Sequence, residues 1–194
     1  MKPNLLLPLL LVTSQASAAN PAASLCKAAE TTYFNCSVKK GSKLVSLCGK
    51  NKGGAGSYLQ YRYGSPGQRP ELIYPPAIRD PAMATTFFFD SSGVKNEARS
   101  EAGVWFEYDN TYYELKFNAE LSATGNLITA VSEVLQWSGT PGGAPLPTVC
   151  KHSRGGENLA AAGSLIEAMS PAGRVWRMSP LDLYYQQKPA TEAD

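Results

Sequence analysis

The chain of 194 residues has a single histidine, His152, and that scarcity sets the first limits on function. A Ser–His hydrolase would need His152 as its general base, and no Gly-x-Ser-x-Gly elbow accompanies it. His152 stands two residues past Cys150, beside Ser153 and Arg154, with no evident carboxylate to orient it, so it reads as structural. Closely spaced ligand pairs are also missing, because the four cysteines lie far apart, and neither a metal nor a cofactor is expected. Gly53-Gly54-Ala55-Gly56 is not a phosphate cradle, since it runs into a strand pattern with no Lys-Ser/Thr behind it. No apolar run reaches the roughly 20 residues that a membrane-spanning helix needs. The longest, Leu5 to Val12, follows Lys2 and precedes Ala16-Ser17-Ala18, the three parts of a secretory signal peptide. Residues 1–18 are therefore expected to be removed, leaving a soluble chain from Ala19 in the periplasm or the medium.

Acid is scarce in the first third. Between Ala19 and Pro70 the cations Lys27, Lys39, Lys40, Lys43, Lys50, Lys52, Arg62 and Arg69 face Glu30 alone. A field of one sign suits an anionic partner, whereas lysines at turns and strand ends equally serve as solvated edge charges.

What the chain does have is alternation. Phe34, Cys36 and Val38 fall on one face of a strand, with Asn35, Ser37 and Lys39 on the other. Gly41-Ser42 suits a two-residue turn, which would pair Lys40 with Lys43 and Cys36 with Leu47. Cys36 then faces inward beside Val45 and Leu47 while Cys48 faces away; a turn one residue longer would set Cys36 opposite Cys48. Four cysteines in an exported chain argue for two disulfides, and the tight turn favours Cys26–Cys48 and Cys36–Cys150. A third strand puts Leu59, Tyr61 and Tyr63 on one side and Tyr58, Gln60 and Arg62 on the other.

Short strands are also expected over Glu71–Tyr74, Ala84–Asp90 and Thr148–His152, while Leu127–Trp137 suits either a strand or a short helix, with β-branched Ile128, Thr129, Val131 and Val134 favouring the strand. The clearest hairpin turns at Asp109-Asn110, setting Phe106 opposite Tyr113, Val104 opposite Leu115 and Trp105 opposite Glu114 on a solvated face. Asn158 can cap a helix over Leu159–Met169, ended by Pro171. These elements predict one all-β domain over residues 19–187, an antiparallel sandwich or small barrel with a short C-terminal helix, then a disordered tail at 188–194. Cys36–Cys150 would staple its first and last strands.

Leu25-Cys26, Tyr33-Phe34-Asn35-Cys36, Ser46-Leu47-Cys48-Gly49, Tyr58-Leu59-Gln60-Tyr61-Arg62-Tyr63-Gly64 and Glu71-Leu72-Ile73-Tyr74-Pro75 resemble a family of small secreted proteobacterial proteins. Ala102-Gly103-Val104 and Val149-Cys150-Lys151 fit the same pattern. The resemblance implies export and a β-rich fold, and brings no catalytic residues with it. Ser92-Gly93-Val94-Lys95 resembles the Ser-Gly-x-Arg/Lys loop of bacterial periplasmic lysozyme inhibitors of the MliC type, although Asn96 stands where those proteins carry Tyr.

Two function classes follow. The first is a non-enzymatic binding or inhibitor module, contacting an anionic envelope polymer or an envelope-active enzyme through Lys39, Lys40, Lys43, Tyr58 and Arg62, or through Ser92 and Lys95. Nucleic acid is not an expected partner. The second is an envelope hydrolase, for which Glu107 and Glu114 across the hairpin are the nearest thing to a carboxylate pair.

Overall fold

The computed structural model describes residues 23–38, 42–53, 56–78, 87–90, 93–94, 99–124, 126–138, 144, 146–150, 153–154 and 158–169. The first sheet is built from β1 (Thr31–Val38), β2 (Lys43–Lys50), β3 (Tyr58–Gly64) and β4 (Leu72–Tyr74). The second uses β5 (Phe88–Asp90), β6 (Gly93–Val94), β7 (Arg99–Tyr108), β8 (Thr111–Leu121), β9 (Leu127–Ser138) and β10 (Leu146–Val149). Then β11 (Ser153–Arg154) returns to the first sheet, and α1 (Leu159–Met169) follows. The strand orders are β11-β1-β2-β3-β4 and β10-β9-β8-β7-β5, with β6 on the end of β7. Every pairing is antiparallel. The chain is thus an antiparallel sandwich with one short helix; among the described residues the sheets do not close into a barrel.

The inner faces meet as the alternation predicts. Phe34, Cys36, Val45, Leu47 and Tyr61 from the first sheet pack against Val104, Phe106, Leu115 and Val134 from the second. The Leu159, Ala162, Leu165, Ile166 and Met169 stripe of α1 joins this core, its spacing being one face of a helix. Gly163 permits the approach: a Cβ there would stand 2.5 Å from the Phe89 ring. Asn158 begins this segment, with its side-chain amide donating to the Thr32 carbonyl at 3.4 Å.

The β7–β8 hairpin is as expected. Asp109 and Asn110 have φ of 50° and 53°, the left-handed pair of a type I′ turn, and Phe106 pairs with Tyr113, Val104 with Leu115 and Trp105 with Glu114. Its outer face, however, is only partly solvated: Glu107 is exposed, but the Trp105–Glu114 pair is covered. Trp105 is 6% exposed and Glu114 2%, and Phe88 stacks on Trp105 at 4.2 Å. Alternation within a hairpin separates two faces without telling whether the second is also covered.

The first turn differs from expectation. Val38 pairs with Lys43 and Cys36 with Val45, so four residues (39–42) link β1 and β2 instead of two. The register therefore moves by two residues, and a two-residue shift preserves every side chain's face. Cys36 still points inward, and both disulfides form as expected, Cys26–Cys48 and Cys36–Cys150. Of the strand expected over Ala84–Asp90, β5 covers Phe88–Asp90, Phe87 precedes it, and residues 84–86 lie outside the described set.

Of the strand expected over Thr148–His152, β10 covers Thr148 and Val149, residues 151–152 lie outside the described set, and a separate strand, β11, begins at Ser153. β10 belongs to the second sheet and β11 pairs with β1, so the chain changes sheet between Val149 and Ser153. The Cys36–Cys150 bond ties the two sheets at that crossover; His152 lies outside the described residues. The Cys150 N–H donates to the Ser132 carbonyl at 2.9 Å, so by alternation Leu146 and Thr148 also address β9 while Pro147 and Val149 face outward. The outermost strand therefore presents a proline where an incoming strand would seek an N–H.

Candidate functional site

The residues expected on one basic, tyrosine-rich surface have different fates. Lys39, Lys40, Ser92 and Lys95 lie outside the described residues. Lys43 ion-pairs with Glu71 and donates to Ser65 Oγ at 2.9 Å. Tyr61 is fully buried in the core, and burial pushes its hydroxyl pKa up. Tyr58 and Arg62 are brought together, but around a carboxylate rather than toward solvent.

That carboxylate belongs to Glu30, on a strap of residues 23–30 that crosses the outer face of the first sheet. Asn35, Ser46 and Arg62 lie directly opposite one another across β1, β2 and β3, a polar row beneath the strap. Asn35 Nδ2 donates to the Ala23 carbonyl at 2.8 Å, and the Leu25 N–H donates to Ser46 Oγ at 3.0 Å. Ser46 Oγ in turn donates to Asn35 Oδ1 at 2.8 Å. The Cys26–Cys48 bond pins the middle of the strap to β2.

Arg62 is the hub. Its Nε donates to Gln60 Oε1 at 2.9 Å, and Nη1 donates to the Leu25 carbonyl at 2.8 Å and to Glu30 Oε2 at 2.7 Å. Nη2 donates to Glu30 Oε1 and to Gln60 Oε1, both at 2.7 Å. These contacts use all five N–H groups of the guanidinium. Glu30 also accepts from the Tyr58 hydroxyl at 2.7 Å and from the Lys27 N–H at 2.6 Å. Burial works against the Glu30 carboxylate, but the Arg62, Tyr58 and Lys27 hydrogen bonds and the Arg62 charge together outweigh it and hold its pKa at about 2. Burial, and then the bond to Glu30, pushes Tyr58 up to about 12. The site is a satisfied buried ion pair that fastens the strap, so Arg62 is not a surface cation.

Cys26, Glu30 and Cys48 also bring potential metal-ligand atoms within 4.8 Å of one another. Both sulfurs are committed to their mutual bond and Glu30 to Arg62, so the trio has no ligand to spare.

Beside the strap runs an open groove of about 420 Å³. Leu25, Ile73 and Ile78 supply its apolar surface and Pro70 and Pro76 its walls, with Gln60 and Arg62 at the buried side and Lys27 at the rim. Lys27 is exposed, as are Lys52 and Arg69, and none of the three forms an ion pair among the described residues. A smaller depression of about 260 Å³ on the second sheet is lined by Glu101, Asn118, Glu120, Thr129 and Val131. Glu101 there is paired with Lys116 at 3.5 Å. The exposed Glu107 and the buried Glu114 are not opposite each other, since Glu107 pairs with Tyr112.

Sequence reasoning put Arg62 on the correct strand face and missed its partner. The available clue was composition: a lone carboxylate in a run of cations has an obvious use in neutralising one that must be buried. Comparison with family models, curated proteins and solved structures finds no match to this chain.

Proposed function

We propose that the chain is an exported, non-enzymatic binding module whose ligand is an anionic component of the cell envelope. The observation that carries this reading is the groove beside the strap, where apolar surface adjoins Lys27, which has no ion pair among the described residues, while the neighbouring Arg62 is already neutralised by Glu30. Two disulfides are compatible with an oxidising compartment, and among the described residues no helix is long and apolar enough to cross a membrane. The polar groups that converge most closely, Glu30, Tyr58, Gln60 and Arg62, satisfy one another and thereby serve the fold. Lys27, Lys52 and Arg69 remain to bias the surface toward negative ligands.

The experiment is binding of the mature protein, beginning at Ala19, to lipopolysaccharide, peptidoglycan fragments and acidic polysaccharide across a salt series. Binding to at least one at low salt should weaken as ionic strength rises, because exposed charges are screened beyond roughly 8 Å at physiological salt. If none binds at low salt the reading fails, and a protein partner contacted through Ser92–Lys95 becomes the one to pursue.

A further inference from the structure

We infer that the groove beside the strap takes an anionic amphiphile, with an aliphatic chain on Leu25, Ile73 and Ile78 and its negative group against Lys27. This rests on the reading above and adds the position and the chemical class of the ligand. The outer face of the first sheet is otherwise polar: Asn35, Ser46, Gln60 and Arg62 are all buried there under or beside the strap. Ile73 interrupts that pattern directly opposite Arg62, on the edge strand β4. Ile78 remains 47% exposed; the other large apolar side chains that are exposed among the described residues, Tyr108, Leu127, Ile128, Val131, Leu146 and Val149, belong to the second sheet. Three apolar side chains from the strap, β4 and the segment after it thus converge on one open concavity.

Charge selects the head group. Arg62 has no N–H left to offer, and Glu30 is held by Arg62, Tyr58 and the Lys27 backbone. Glu71, the nearest acid in sequence beyond Pro70, is occupied by Lys43. Among the described residues the Lys27 ammonium is therefore the uncompensated charge at the rim, and a cationic or neutral head group would forgo it. Proline walls at Pro70 and Pro76 restrict the backbone and lower the ordering cost of binding. A volume of about 420 Å³ lies within the ~300–1,000 Å³ of small-ligand sites, enough for one short chain and one head group. A larger envelope molecule would engage it through a pendant acyl group or chain end.

The test titrates the oxidised mature protein with octyl phosphate, and with octyl glucoside, octyltrimethylammonium and inorganic phosphate as comparators, by calorimetry. Octyl phosphate should bind at least about tenfold more tightly than any comparator. Ile78→Asp and Lys27→Glu should each weaken it by about tenfold or more, while Lys27→Arg retains it. Thermal melts and disulfide maps matching the parent show that the variants fold. Equal binding of octyl glucoside, equal binding of inorganic phosphate, or unaltered binding by Ile78→Asp overturns the inference. If an envelope polymer binds in the salt series and octyl phosphate neither binds nor competes, the groove assignment fails and the module reading stands. If octyl phosphate binds and no polymer does, the reverse holds.

Discussion

Replacing Glu30 with Gln keeps the shape of the side chain and removes its charge, leaving Arg62 buried with no counter-ion. Both side chains are almost inaccessible, at 2% for Glu30 and 4% for Arg62, so water cannot take over the lost role. The amide can also point a donor at a guanidinium that is itself all donors. Breaking a buried pair from one side costs about 3–5 kcal/mol. In urea unfolding at pH 7 with disulfides intact, Glu30→Gln should lose an amount in that range. The double variant Glu30→Gln/Arg62→Met should recover part of it, since neither charge then needs a partner. Acid supplies an independent check. The carboxylate titrates at about 2 in the folded chain against an ordinary 4.5, so the folded state favours the ionised form. Its contribution is complete above the ordinary value and is lost as pH falls from about 4.5 toward 2. The shift is worth about 2–3 kcal/mol. The stability gap between parent and Glu30→Gln should therefore narrow by about that much across this window. A gap below about 1 kcal/mol at pH 7, or one that does not change on acidification, would refute the account of the strap.

Four further outcomes follow from the core. Phe106→Ala should cost about 3–5 kcal/mol, because its ring packs on Tyr113 at 5.0 Å and on Tyr74 at 4.6 Å. Trp105→Ala should approach the same cost, and a surface-like value near ~0.5 kcal/mol in the same melts would contradict its burial. Replacing Cys36 and Cys150 together with Ser, across a separation of 114 residues, should cost about 4–5 kcal/mol by chain entropy, read from the urea midpoint. Gly163→Ala gains about 1 kcal/mol of helix propensity but drives a methyl into Phe89, so a net loss of about 1–2 kcal/mol is expected.

Much of this sandwich is legible in the sequence because its information is local. Asp109-Asn110 carries its own turn geometry, so the whole β7–β8 register follows from two residues. The disulfide pairing is legible for a subtler reason. The β1–β2 connection is two residues longer than expected, yet which face a cysteine occupies depends only on whether the shift is odd or even. Features that need a third layer are not legible. Nothing near Arg62 in sequence names Glu30, 32 residues earlier, as its partner. Likewise, the burial of Trp105 and Glu114 depends on what lies over the sheet, and the period of a strand contains no record of that. The change of sheet between Val149 and Ser153 is similar, since both residues suit a strand and only the position of the two sheets separates them.

The two disulfides interleave, and that has a consequence for biogenesis. Cys36 lies inside the Cys26–Cys48 loop in sequence, and Cys48 lies inside the Cys36–Cys150 loop. In a chain threaded N-terminus first across a membrane, as the proposed export requires, Cys26 and Cys36 would be the first thiols to meet an oxidant. An oxidase joining cysteines in order of arrival would couple them, although one belongs to the strap outside the sheet and the other to the core. Correct maturation then requires Cys36 to wait as a thiol until nearly the whole domain has emerged, or a premature Cys26–Cys36 bond to be exchanged by attack of the Cys48 thiolate. Yield of native protein should thus depend more on disulfide isomerase activity than on oxidising power.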